Sequence, residues 1–85
     1  MDLSGAAVRF PGLRREQNGR RVVFADAPGG SQVPDAVVEA MADYLRRRNA
    51  NAHGSFVTSQ ETDDLIAEAH RAAADLLNAD DDEVV

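Results

Sequence analysis

The apolar positions of this chain gather into two helical stretches, set apart by loops of small and polar residues. Val37, Val38, Met41, Tyr44 and Leu45 recur at spacings of three and four, the period that lines one face of an amphipathic helix. Pro34 stands at the start, where its fixed φ and missing N–H cost nothing. Arg46, Arg47 and Arg48 fall in the last turn, where cations favour the negative end of the helix dipole. The pattern predicts a helix over 34–48 that stops near Asn49. A second run, Leu65, Ile66, Ala69, Ala72, Ala73, Leu76 and Leu77, predicts a helix over 59–78. Thr58 with Glu61 three residues later fits a capping box at its beginning, and Asn78 suits its C-terminal stop.

Outside the helices the pattern is shorter. Arg21 to Ala25 is β-branched and aromatic between turn residues, which predicts a short strand. Residues 1–21 hold no sustained period and contain Pro11, Gly12 and Gly19, so they read as an irregular arm with one short helical turn. Asp26 to Val33 is a glycine-bearing loop, and Asn49 to Val57 is a polar one. After the acidic turn Asp80-Asp81-Asp82, Glu83-Val84-Val85 reads as the opening of a strand over 83–85. Strands run about five to six residues, so the expectation is a chain cut from a longer one. The alternative is a mobile C-terminal tail.

Composition sharpens that expectation. In 85 residues there are three Phe, one Tyr and no Trp, so the 44% of hydrophobic residues is largely Ala and Val. These bury little area each, which predicts a thin core. All nine basic residues are Arg, and neither Lys nor Cys occurs. That removes disulfides, thiolate nucleophiles and thiolate zinc sites, together with lysine Schiff bases. A net charge of −6 argues against nucleic-acid binding, which needs a basic face to displace counterions. No apolar run approaches the length of a membrane span, and the first residues lack the basic and apolar regions of a signal peptide. The address expected is cytoplasmic.

Two loops carry the candidate chemistry. Pro28-Gly29-Gly30-Ser31 precedes a predicted helix and reads either as a phosphate cradle or as an ordinary turn. It lacks the Walker ending and the dinucleotide spacing. Asn49-Ala50-Asn51-Ala52-His53-Gly54 reads either as the polar lining of a pocket or as a helix stop and solvated loop. His70 is expected at the surface, and two distant histidines make no metal cluster. Asp80 to Asp82 lack the glycine and distal glutamate of a calcium loop. A triad of Ser55, His53 and Asp63 can be written down, but no nucleophile elbow accompanies it, and it is rejected.

Taken in order, three segments resemble one family. Val22-Val23-Phe24-Ala25-Asp26-Ala27-Pro28-Gly29-Gly30-Ser31-Gln32-Val33-Pro34 resembles the amino-terminal strand and loop of class V aminotransferase-type enzymes. Asn49 to Gly54 resembles the Asn-Ala-Asn loop that follows, and Thr58 to Leu77 with Asp82-Glu83-Val84-Val85 resembles the next helix and strand. The Pro-Gly-Gly-Ser-Gln-Val-Pro wording is similar to the cysteine-desulfurase-like branch. The resemblance covers residues 8–85 and implies a partial amino-terminal segment of an α/β parent, a fold type I pyridoxal-phosphate enzyme. It implies a homodimer acting on an amino acid by C–S cleavage or transamination, with pyridoxal 5'-phosphate in the full-length parent and none bound by this segment. It places Pro28, Gly29, Gly30, Asn49, Asn51 and His53 near the substrate, with no catalytic residue in this chain, which is expected to be inactive alone. The reading from a different class is a free-standing helical interaction module.

Overall fold

A computed structural model of the chain describes residues 5–85. The contacts divide it into two units, Met1–Asp43 and Tyr44–Val85, which are taken in turn.

In the first unit, short 3-10 helices at Ala7–Arg9 and Pro11–Arg14 lead into a hairpin of β1 (Glu16–Gln17) and β2 (Arg20–Arg21). The strands are antiparallel, with Glu16 opposite Arg21 and Gln17 opposite Arg20. Asn18 and Gly19 both take positive φ, 53° and 71°, the backbone of the two-residue turn that Asn-Gly favours. The predicted strand at 21–25 is therefore corrected. Only Arg21 pairs; Val22 donates its N–H to the Arg15 carbonyl at 2.9 Å, and residues 22–26 run without a ladder. The Asn-Gly turn folds the chain back on residues 16–17, and no other strand is present among the described residues to receive the apolar run. The irregular arm thus holds a hairpin and two 3-10 turns, apart from residues 1–4, which lie outside the described ones.

Helix α1 (Asp35–Arg47) follows, beginning in the first unit and ending in the second, within a residue of the span predicted. Pro34 lends its carbonyl to the N–H groups of Val37 and Val38, at 3.0 and 3.3 Å. It sits just before the helix, where its missing donor is no loss. Asp35 in the first turn and Arg46 and Arg47 in the last oppose the helix dipole with the right signs.

In the second unit, helix α2 (Val57–Leu77) is the main element. It begins two residues earlier than predicted, and the Thr58–Glu61 capping box is not formed. Phe56 occupies the cap position with no side-chain cap, and its carbonyl already accepts the N–H groups of Ser59 and Gln60, both at 3.1 Å. Thr58 is consequently inside the helix, where its carbonyl accepts from the Thr62 hydroxyl at 2.9 Å. The C-terminal stop is where the sequence puts it. Asn78 turns left-handed, φ 53°, and Ala79 N–H reaches back to the Ala74 carbonyl at 3.0 Å, a closure that satisfies end carbonyls.

The predicted strand over 83–85 is also corrected. Asp81–Glu83 forms a 3-10 turn closed by a capping box from Asp80, with Asp80 N–H donating to Glu83 Oε2 at 2.9 Å. That lock holds Glu83 in the turn. Val84 is extended but has no partner strand among the described residues.

The thin core expected from composition is what forms. Among the described residues the only buried side chains are Ala74, Ser59 and Thr62, and two of those three are hydroxyls. The apolar stripe of α1 stays open, with Met41 62% and Leu45 61% exposed. Leu76 and Leu77 of α2 are exposed as well.

Candidate functional site

The loop between the helices is built from backbone groups that side chains of α2 capture. Ser59 is fully buried, and its hydroxyl accepts the Gly54 N–H at 2.6 Å while donating to the Asn51 carbonyl at 2.5 Å. One hydroxyl thus ties both sides of the Asn51–Gly54 bend. Gly54 is required there by space, because a Cβ on it would stand 2.6 Å from the Phe56 ring and 2.9 Å from Ser59 Oγ.

One turn further along α2, the Thr62 hydroxyl lies 3.1 Å from the Tyr44 hydroxyl. Tyr44 in turn donates to the Ala50 carbonyl at 3.2 Å. Asp63 finishes the set: its carboxylate accepts the His53 backbone N–H at 3.0 and 3.1 Å and lies 3.1 Å from His53 Nδ1. Ser59 and Asp63, one turn apart on α2, each bond backbone groups of the loop, while Thr62 between them meets the Tyr44 hydroxyl that holds Ala50. Buried hydroxyls need such partners, since an unpaired one costs about 1–3 kcal/mol.

The glycine loop belongs to the first unit and is held differently. Ala27–Gly29 makes a single 3-10 turn, in which Gly29 N–H donates to the Asp26 carbonyl at 3.1 Å and Gly30 N–H to the Ala27 carbonyl at 3.0 Å. Those two donors are spent inside the turn, so they do not form an anion cradle in this conformation. Gly30 takes φ 125° with nothing within 4 Å of a Cβ position, so conformation and not crowding calls for glycine. A hollow of 290 Å³ opens beside the loop, with Phe10, Leu13, Phe24, Asp26, Gly30 and Gln32 in its lining.

The predicted site residues are therefore placed as follows. Pro28, Gly29 and Gly30 lie together on an exposed turn. Asn49 and Asn51 are exposed, and Asn51 enters the network through its carbonyl. His53 is held at both its backbone and its ring. His70 is exposed, as expected. Sequence reasoning missed Ser59, Thr62 and Tyr44. Asp63 and His53, two members of the rejected triad, do meet, but no hydrogen bond joins Ser55 to them among the described residues. The Ser55 carbonyl accepts from Gln60 Nε2 at 3.3 Å. No group of three or more potential ligands gathers for a metal among the described residues, and none of their helices is long and apolar enough to cross a membrane.

Residues 23–85 match the family described as aminotransferase class-V, and the chain belongs to it. Among its relatives, a probable cysteine desulfurase of Halobacterium salinarum is 36% identical over 85 residues, covering 98% of this chain and 20% of the relative. A cysteine desulfurase of Klebsiella pneumoniae is 37% identical over 71 residues, 82% of this chain and 18% of that protein. A probable cysteine desulfurase of Halalkalibacterium halodurans is 50% identical over 44 residues, 52% of this chain and 11% of the relative. The chain spans about a fifth or less of these curated relatives.

Membership implies fold type I and pyridoxal phosphate. The residues described here do not fit that cofactor by themselves. There is no Lys in the sequence to join it, and the two glycine donors best suited to a phosphate are already bonded within their turn.

Proposed function

We propose that this chain forms part of a pyridoxal-phosphate enzyme of the cysteine-desulfurase-like kind, acting on an amino acid by C–S cleavage or transamination. The observation that carries the reading is the family match, which covers residues 23–85 and so includes both loops. In it the whole protein works as a homodimer in the cytoplasm. The segment described here contributes the turn of Pro28, Gly29 and Gly30 and the loop of Asn49, Asn51 and His53 to the rim of the site. The cofactor-bearing Lys comes from elsewhere in the whole protein, because these 85 residues contain none.

The test is spectroscopic. The protein expressed from its complete reading frame should show the visible band of a lysine-bound cofactor, and residues 1–85 mixed with pyridoxal phosphate should not. Such a band from the 85-residue chain alone would sink the reading. A second reading, a helical module that associates through apolar faces, is favoured by the exposure of Val37, Val38, Met41 and Leu45 along α1. A cooperative thermal transition of residues 1–85 with a defined oligomeric size would support the module instead.

A further inference from the structure

The Asp63 carboxylate receives more than one group of a single residue. Both its oxygens lie within hydrogen-bond reach of the His53 backbone N–H, and Oδ1 is also 3.1 Å from Nδ1 of the same histidine. An ionised carboxylate offers only lone pairs, so the ring nitrogen facing it must carry the hydrogen. In a neutral imidazole the other nitrogen, Nε2, then has a lone pair and no hydrogen.

Two further facts say what that arrangement is for. The His53 side chain is 88% exposed, so Nε2 is open to a ligand. The His53 backbone is left-handed, φ 67°, a conformation uncommon outside glycine, and the bonds from its N–H to Asp63 hold it there. A single carboxylate on α2 thereby sets the backbone at His53, the direction of the ring and the tautomer. Serine plays no part in it, so the pair is suited to holding a hydrogen at a ligand atom and not to nucleophilic attack.

We propose that Asp63 is a positioning residue: it keeps His53 as the Nδ1–H tautomer and presents Nε2 as a hydrogen-bond acceptor to an N–H or S–H group of an amino-acid substrate. Only the identity of the ligand rests on the enzyme reading above. The clamp and the tautomer rest on the geometry of α2 and its loop.

The experiment is a long-range proton–nitrogen spectrum of the imidazoles, taken on the protein from its complete reading frame at a pH where the rings are neutral. His70, exposed on the same helix, serves as the internal comparison. His53 should give the Nδ1–H pattern. Asp63→Asn should invert it to Nε2–H, because the amide can turn a donor towards Nδ1 while its oxygen still accepts the backbone N–H. A wild-type His53 already in the Nε2–H form would overturn the proposal.

Turnover of an amino-acid substrate gives the second arm. Asp63→Asn should lower kcat/KM about tenfold, the worth of one hydrogen bond, and should do little in a His53→Ala background. An equal loss in both backgrounds would make Asp63 a loop anchor only and would also overturn the proposal. Absence of any amino-acid turnover would count against the enzyme reading, while the spectrum would still decide the tautomer.

Discussion

The loop before α1 and the loop before α2 are both poor in large side chains, and each delivers its chain into a helix. Before α1, residues 26–30 are held among the described residues by backbone bonds: two of 3-10 type and a glycine at φ 125°. Before α2, residues 50–54 are held by side chains, with Ser59, Asp63 and Tyr44 each bonded to a backbone group of the loop. A backbone turn of this kind is local and can rearrange without disturbing anything outside it. A loop fixed by a helix keeps its shape for as long as the helix lasts. The difference separates a segment suited to adjusting around a ligand from one suited to presenting fixed groups.

Substitutions can break that contrast. The largest effect is expected from Ser59→Ala, which leaves the Gly54 N–H and the Asn51 carbonyl without their shared partner at a fully buried position. It should cost about 1–3 kcal/mol, read as a lower unfolding midpoint together with faster amide exchange at Gly54. Unchanged exchange there would mean the loop does not depend on α2. Gly30→Ala should cost at least about 1 kcal/mol through backbone strain alone, since φ 125° with ψ 114° is closed to side chains and no atom stands in the way of its Cβ, and its exchange effects should stay within the turn. Spread of those effects to distant amides would erase the distinction between the loops. The smallest change belongs to Asn51→Ala, which removes a side chain and leaves the bonded carbonyl in place. Stability should move by no more than about 0.5 kcal/mol, so any larger fall in activity would mark a direct ligand contact.

Much of this was legible in advance and some of it was not. Both helices, the stop at Asn78 and the thin core follow from period, capping chemistry and residue size, which are local properties of the chain. The strand expected at 21–25 failed because an apolar run becomes a strand only beside another, and the Asn18-Gly19 turn drew Arg20 and Arg21 the other way. The sequence did contain that signal, since Asn-Gly flanked by pairing residues marks a hairpin. The capping box at Thr58 failed because Phe56 began the helix first. The grip of Ser59, Asp63 and Tyr44 on the loop depends on how the chain doubles back between residues 48 and 57, and no spacing rule reports that.

The buried pair Ser59 and Thr62 has a thermodynamic consequence. Heat capacity rises when apolar surface meets water on unfolding and falls when polar surface does. In the Tyr44–Val85 unit the buried side chains are those of Ser59, Thr62 and Ala74, two of them bearing hydroxyls. Melting that unit should therefore change the heat capacity less than melting a hydrocarbon-filled unit of the same length, and its stability should curve less with temperature.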